Sequence, residues 1–182
     1  LITGATGFVG KSLVRRLLGD GDDIVVLTRD PDKAKQKLPA SVKAYAWNPE
    51  DGRAPQSAFD GVEVVIHLAG EGVAEKRWSE QQKKKILDSR ALGTRNLVET
   101  MLTLPKKPRV FVCASATGYY GDRGQERLTE NSQPGTGFLV DVCRSWETEA
   151  ERAEAAGIRR VSIRIGIVLE QILNGLLVGS YY

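Results

Sequence analysis

The sequence predicts an α/β fold, a doubly wound sheet of parallel strands with helices on both faces. Short runs rich in β-branched residues alternate with longer segments in which apolar residues recur every three or four positions. Apolar runs without polar alternation are typical of strands that are covered on both faces. Regular alternation of such strands with helices indicates a parallel sheet.

Six strands are expected along the chain. Residues 1–3 have the composition of the second half of a strand, and residues 42–46 form an additional strand. The other four are buried runs, at 25–28, 62–68, 109–113 and 161–165. Because strands buried on both faces need helices above and below them, the segments between these runs should pack on both sides of the sheet.

Three helices are predicted between the strands. The first has apolar residues at helical spacing and ends at Gly19 and Gly21; these residues are Phe8, Leu13, Val14, Leu17 and Leu18. A long second helix includes residues 86–101 and stops before Pro105, and a third covers residues 138–156. The stretches 49–61 and 121–137 are predicted loops, and the second is long enough to have a functional role.

Composition narrows the class of protein. A chain of 182 residues, 41% of them hydrophobic, fits one domain with a real core. Its 26 basic and 23 acidic residues give a net charge of +3, which argues against binding to nucleic acid or to a membrane surface. Two isolated cysteines and the lack of a membrane-length apolar run lead us to expect a cytoplasmic protein.

The first strand runs directly into the glycine-rich sequence Gly4-x-x-Gly7-x-x-Gly10, and a helix follows at once. In this context glycines permit a tight turn and a close approach of the backbone to a pyrophosphate, which the helix N–H groups then face. The pattern predicts a Rossmann-type dinucleotide site. Its candidate residues are Gly4, Thr6, Gly7, Phe8, Val9 and Gly10.

A P-loop NTPase is the competing interpretation, because residues 5–12 match a relaxed P-loop with alanine in place of the first glycine and Lys11 in place of the P-loop lysine. A P-loop also requires an aspartate for magnesium at the end of a second strand. The run at 62–68 ends in Ala69-Gly70 instead, so the dinucleotide interpretation is favoured.

The end of the second strand indicates which dinucleotide is bound. An acidic side chain there would bond the ribose 2′-hydroxyl of NAD, whereas an arginine would meet the 2′-phosphate of NADP. The sequence has Thr28 and Arg29, which favour NADP(H). The following Asp30 keeps NAD(H) open as an alternative.

The chain resembles the extended short-chain dehydrogenases/reductases. More narrowly, it looks like the atypical members of the NAD-dependent epimerase/dehydratase family that were once loosely labelled cell-division inhibitors. The matching segments cover nearly all of residues 1–170 and are 3–10, 27–29, 65–71, 77–78, 89–90, 115–121 and 164–169.

The resemblance implies further site residues. Leu68, Ala69 and Gly70 would pass beneath the cofactor, Arg90 would lie near its phosphates or ribose, and Val168 would border the nicotinamide. Residues 1–170 would form the NAD(P)-binding domain and residues 171–182 a short irregular tail. The substrate lobe that extended members carry after the sixth strand would then be truncated or missing here. Related enzymes often pair through the helices at 79–104 and 138–156, so the resemblance leaves a homodimer open.

Catalysis in the superfamily uses a hydroxyl at the end of the fifth strand and a Tyr-x-x-x-Lys motif on the next helix, which together exchange a proton with the substrate. The chain has the strand-end hydroxyls, Ser115 and Thr117, but no Tyr-x-x-x-Lys. Aligned on Glu147, the tyrosine and lysine positions hold Leu139 and Cys143. The remaining candidates for the acid are Tyr119 and Tyr120.

The expected function is therefore an NADP-dependent oxidoreductase or epimerase-like isomerase that acts on a small hydroxyl or carbonyl substrate, for which a nucleotide sugar is one candidate. The missing Tyr-x-x-x-Lys supports a second hypothesis, a non-catalytic NADP-binding sensor or regulatory protein.

Overall fold

The computed structural model describes residues 1–73 and 76–166, and within them six parallel strands form one sheet. The strands are β1 (Ile2–Thr3), β2 (Val25–Thr28), β3 (Lys43–Ala46), β4 (Val64–His67), β5 (Val110–Ala116) and β6 (Arg159–Ile165). Their order across the sheet is β3-β2-β1-β4-β5-β6, and every neighbouring pair is parallel. This is the strand order of the Rossmann fold, so the predicted fold class is confirmed.

Four helices connect the strands. They are α1 (Phe8–Gly19), α2 (Pro31–Lys37), α3 (Glu80–Thr103) and α4 (Phe138–Glu151), and α4 continues into a 3₁₀ turn at Arg152–Ala156. Helix α3 begins six residues before the first apolar position of its predicted pattern, because Ser79 accepts a hydrogen bond from the backbone N–H of Gln82 and so caps the helix. None of the described helices is both long and apolar enough to cross a membrane.

Sequence reasoning missed helix α2. Its local signal is the pair Asp30-Pro31: the Asp30 carboxylate accepts a hydrogen bond from the backbone N–H of Lys33 at 3.0 Å, and proline takes the first helical position. The helix has seven residues and buries Ala34 alone, so it carries almost no apolar periodicity. Its capping residues were therefore the only available signal.

Two hydrophobic clusters hold the helices to the sheet. One joins α1 and α2 to β1 and β2, through residues such as Ile2, Val14 and Val26. The other joins α3 and α4 to β4 and β5; its centre includes Leu97, Met101 and Phe111, all fully buried. Burial of side chains of this size contributes about 1.5–3 kcal/mol each.

The sheet order places a topological switch between β1 and β4, because the chain moves outward from β1 to β2 and β3 and then returns to the other side of β1. In sheets of this kind ligands bind beyond the carboxyl ends of the strands at that point. The segments following β1 and β4 begin there with Gly4 and Leu68. The predicted tail at 171–182 and Val168 lie outside the described residues.

Candidate functional site

The glycine-rich segment forms a tight turn against the chain that follows β4. Gly4 adopts φ +68°, a left-handed conformation that favours glycine, and its carbonyl accepts a hydrogen bond from the N–H of Gly7 at 3.1 Å. A Cβ atom on Gly4 would lie 2.7 Å from the carbonyl carbon of Leu68. The turn therefore requires glycine at this position for both its conformation and its packing.

Gly10 allows helix α1 to start directly on this turn. A Cβ on Gly10 would overlap the carbonyl oxygen of Gly4 and would lie 2.7 Å from the Cα of Ala5. No side chain caps the first turn of α1, which begins after Gly7. Its first backbone N–H groups are therefore available to an anion, as at other phosphate-binding helix ends.

A cleft of about 290 Å³ opens beside the turn, along the carboxyl ends of β1, β2, β3 and β4. Most of the predicted cofactor-binding residues line it together: Gly4, Thr6, Gly7, Thr28, Arg29, Leu68, Ala69 and Gly70. Phe8 and Val9 are not part of this lining; their side chains are 53% and 41% exposed at the start of α1. Gly10 lies behind the turn, against Gly4 and Ala5.

Sequence reasoning missed one wall of the cleft, the segment after β3 formed by Trp47, Asn48, Pro49 and Glu50. Helix α3 fixes this wall, since Asn96 Nδ2 donates to the carbonyl oxygen of Pro49 at 2.7 Å. A Cβ on Gly93 would lie 2.9 Å from that of Pro49, so glycine in α3 permits the close contact. The position of the segment, directly after a predicted strand, was a signal that could have identified it.

The three residues at the end of β2 have different roles. Arg29 is exposed and lines the cleft with Thr28. Asp30 is absent from the described lining of the cleft, because its carboxylate caps α2 and pairs with Lys33 Nζ at 3.1 Å. Hydrogen bonds from the backbone and the side chain of Lys33 lower the pKa of Asp30. The acidic residue that kept NAD open is thus already engaged in capping a helix.

Asp30→Ala should lower the free energy of unfolding, because α2 loses its N-cap. The ratio of NADPH to NADH affinity should stay the same. Urea unfolding measures the first quantity and calorimetric titration with each dinucleotide the second. A large gain in NADPH preference would instead mean that Asp30 contacts the ribose.

The floor of the cleft after β4 rests on helix α3. Ser89 Oγ accepts from the N–H of Glu71 at 3.0 Å, and Arg90 Nη1 donates to the carbonyl oxygen of Glu71 at 2.9 Å. The guanidinium of Arg90 lies under Gly70 and 5.1 Å from the ring centre of Trp146. Burial lowers the pKa of Arg90. In the described structure Arg90 supports the floor and is not itself part of the lining.

His67, the one histidine of the sequence, lies inside the protein at the end of β4. Its Nδ1 is 2.6 Å from Thr3 Oγ1, which also accepts a hydrogen bond from the N–H of Ala69. Burial, with a smaller contribution from Arg90, lowers the pKa of His67 to about 3. The imidazole is therefore neutral at physiological pH and helps to fix the residues after β4.

The end of β5 holds a buried polar network. Ser115 is 3% exposed, and its hydroxyl donates to Glu147 Oε1 at 2.6 Å. Arg164 is directly opposite Ser115 in β6. It donates to the same carboxylate through Nε at 2.9 Å and Nη2 at 2.8 Å. Burial alone would raise the pKa of Glu147, but the hydrogen bonds from Arg164 and Ser115 outweigh it and hold this pKa below its usual value.

Arg164 also contacts both tyrosines of the predicted site. Its Nη1 donates to the Tyr120 hydroxyl at 2.9 Å and to the carbonyl oxygen of Glu130 at 3.1 Å. Its guanidinium carbon is 3.5 Å from the ring centre of Tyr119. Tyr120 is buried and Tyr119 is half-buried. One arginine thus connects β6, α4, the tyrosines and the 121–137 loop.

Helix α4 presents no proton-transfer group at the two expected positions. If Gly118 carried a Cβ, it would be 3.5 Å from Leu139 Cβ and 3.9 Å from Cys143 Sγ, so both residues face the turn after β5. Burial raises the pKa of Cys143 above its usual value. Thr117, at the start of that turn, is exposed. The structure therefore brings Ser115, Tyr119 and Tyr120 into one network and leaves Thr117 facing outward.

The sheet order and the glycine turn between β1 and α1 define a protein of the Rossmann class. More specifically, the chain belongs to the NAD dependent epimerase/dehydratase family, whose model matches residues 1–167. An "Epimerase family protein SDR39U1 homolog, chloroplastic" from Arabidopsis thaliana is 39% identical over 170 residues, which are 92% of this chain and 48% of that protein. An epimerase family protein from Mycobacterium leprae is 33% identical over 93% of this chain and 52% of its own length.

Solved structures agree with the fold. A structure described as the nucleoside-diphosphate sugar epimerase from Corynebacterium glutamicum matches with a TM-score of 0.76 and 34% identity, over all of this chain and 38% of that one. Human epimerase family protein SDR39U1 with NADPH matches with a TM-score of 0.68, over 90% of this chain and 52% of that one; at 23% identity it supports the fold alone. The chain spans about half the length of the curated relatives that it matches.

Proposed function

We propose that this chain is the NADP(H)-binding part of an oxidoreductase or epimerase-like enzyme that acts on a hydroxyl or carbonyl group of a small substrate, with nucleotide sugars as the favoured class. The observation that carries the proposal is the cleft in which Arg29 and the glycine turn meet. A 2′-phosphate and a pyrophosphate are the two anionic groups of NADP(H), and the cleft offers one group of donors for each.

The residues present fit this cofactor. Backbone atoms occupy the space that a Cβ would fill at Gly4 and Gly10, so the turn and the uncapped start of α1 could closely approach a bound pyrophosphate and would hold it. Arg29 and Thr28 would hold the 2′-phosphate, while the 47–50 wall would close the adenosine end. When bound, the nicotinamide supplies hydride transfer. Leu68, Ala69 and Gly70 would pass beneath the cofactor.

The proposal agrees with the ligands that are described for other proteins of this fold. Human SDR39U1 is described with NADPH. MoeE5, a structure that matches this chain with a TM-score of 0.72 at 23% identity, is described with UDP-glucose and NAD. The relative from Corynebacterium glutamicum is described as a nucleoside-diphosphate sugar epimerase. All three are longer than this chain, which covers 38% to 52% of their length.

Arg29→Ala should remove the selectivity of the cleft for a 2′-phosphate. Adenosine 2′,5′-bisphosphate should bind the unmodified protein more tightly than 5′-AMP does, and the variant should lose about 10- to 100-fold in affinity for the bisphosphate only, because a charge-assisted hydrogen bond is worth about 1.5–3 kcal/mol. Calorimetric titration with both fragments measures this.

Arg123→Ala is the matched control, since this arginine pairs with Glu126 and does not line the cleft. Equal affinity of the unmodified protein for both fragments would contradict the assignment of NADP. Equal losses for both fragments in Arg29→Ala would mean that Arg29 shapes the cleft without contacting the 2′-phosphate.

A non-catalytic NADP-binding sensor is the second candidate, and one observation favours it. Leu139 and Cys143 face the turn after β5 from the positions where the superfamily has its tyrosine and lysine, and neither can supply the usual proton. Oxidation of NADPH with any member of a panel of aldehydes, ketones and 4-keto nucleotide sugars would decide for the enzyme. Tight NADPH binding without turnover of any of them would decide for the sensor.

A further inference from the structure

The four candidate catalytic residues near the end of β5 occupy two different environments. Ser115 is almost fully buried, and its one proton is used in the bond to Glu147. Tyr120 is 8% exposed, and its hydroxyl accepts from Arg164. Thr117 is exposed, and its hydroxyl makes no hydrogen bond within the described residues. Only some of the four can therefore meet a ligand.

Strand geometry explains the difference. Side chains alternate between the faces of a strand, and Ser115 shares the α3/α4 face with Phe111 and Cys113, which are both buried there. Arg164 opposite Ser115 projects to the same face, where Glu147 on α4 meets both. Ser115 therefore points into the layer between the sheet and α4.

The Glu147 carboxylate makes this arrangement hard to reverse. Its side chain is 10% exposed and that of Arg164 is 19% exposed. A Ser115 hydroxyl that turned toward a substrate would remove one of the three hydrogen bonds from a buried carboxylate, and leaving such a group underpaired is costly. The network thus keeps the Ser115 hydroxyl directed at Glu147 as a hydrogen-bond donor.

Thr117 stands where the strand has ended. It begins the 3₁₀ turn Thr117–Tyr120, and β5 is the neighbour of β4 on the side away from β1. The turn is consequently the next segment along the carboxyl edge after the Leu68–Gly70 floor of the cofactor cleft. Leu139 and Cys143 lie behind the turn at Gly118, so the side chains on that side of it are apolar or weakly polar.

The geometry points to Thr117 as the hydroxyl that contacts the substrate, with Ser115, Glu147, Arg164 and Tyr120 as positioning residues behind it. This inference rests on the proposed NADP(H)-dependent function, and it identifies the group that would hydrogen-bond the reacting oxygen. Tyr119 is half-buried, and one face of its ring lies on Arg164. It therefore lies between the exposed Thr117 and the buried positioning residues.

Cysteine substitution with Ellman's reagent as the probe tests the two environments without a known substrate. Both native cysteines are buried, so the unmodified protein should react slowly. Thr117→Cys should react at least about 100-fold faster than Ser115→Cys, because a buried thiol reacts only through local opening. Saturating NADPH should slow the reaction of Thr117→Cys.

Reaction of Ser115→Cys as fast as that of Thr117→Cys would overturn the inference, and so would a lack of NADPH protection in a chain that binds NADPH. If Ser115→Cys does not fold while Thr117→Cys does, the internal placement of Ser115 is supported. If the protein binds no NADPH, the proposed function fails, while the difference in thiol reactivity still tests the placement of the two side chains.

Turnover supplies an independent readout. With any carbonyl compound of the panel that is reduced, Thr117→Val should lower kcat about 100-fold, as loss of one oriented hydrogen-bond donor does, and leave KM for NADPH unchanged. Thr117→Ser should restore most of kcat, because it restores the hydroxyl. Full activity of Thr117→Val would contradict the assignment.

Discussion

Gly10→Ala should reduce NADPH affinity by about 100-fold or more, since the pyrophosphate would lose two or more charge-assisted hydrogen bonds. The added methyl group would overlap the carbonyl oxygen of Gly4 and stand 2.7 Å from the Cα of Ala5. Both neighbours are backbone, so the clash cannot be relieved by rotating a side chain. Either α1 or the turn must move, and the N–H groups move with them.

Stability should fall together with binding in Gly10→Ala. Forcing extra volume into a packed site costs about 1–3 kcal/mol. Gly19→Ala is the matched control, because Gly19 lies in α1 and a Cβ there would meet nothing within 4 Å. That variant should bind NADPH normally and be as stable as the unmodified protein or slightly more so. Normal NADPH affinity in Gly10→Ala would contradict a role for the turn in binding.

Glu147→Gln should lower the free energy of unfolding by about 1.5–3 kcal/mol, the range for hydrogen bonds to a charged group. Arg164, which is partly exposed, would keep its charge and lose the carboxylate that it contacts through two nitrogens. Glu126→Gln is the matched control, because the pair Arg123–Glu126 is more exposed and should contribute about 1 kcal/mol or less. Urea unfolding at neutral pH measures both.

The effect of Glu147→Gln should depend on pH. The folded protein holds the pKa of Glu147 below its usual value. The stabilisation by the ion pair is therefore complete above the pKa that Glu147 has in the unfolded chain. It is lost as pH falls through the folded pKa. The difference in stability between Glu147→Gln and the unmodified protein should therefore shrink on acidification, and a difference that grew would contradict the ion pair.

The sequence predicted the sheet because its central strands are nearly continuous apolar runs. Strands β2, β4, β5 and β6 lie within two residues of the predicted bounds at their starts, and β5 extends to Ala116 at its end. Helix α2 was missed, since seven residues that bury Ala34 alone show no periodicity. The apolar pattern of a sequence indicates which residues are buried. A helix that is mostly exposed has no such pattern, so only its capping residues can indicate it.

The cofactor side of the site was more predictable than the chemical side. Gly4 and Gly7 have a local role that their spacing reveals, and Arg29 follows a strand end at which the fold places a ligand. Glu147 and Arg164 belong to a helix and a strand 17 positions apart, and their meeting with Ser115 depends on strand register and helix packing. From the sequence, Ser115 and Thr117 are equal candidates, and only the packing separates them.

The most direct test of the account is calorimetric titration of the unmodified protein with NADPH and, in parallel, with NADH. We predict one site per chain and an affinity for NADPH that is about 10-fold or more above that for NADH, as one charge-assisted contact to the 2′-phosphate requires. Binding of NADH as tight as that of NADPH, or binding of neither, would contradict it.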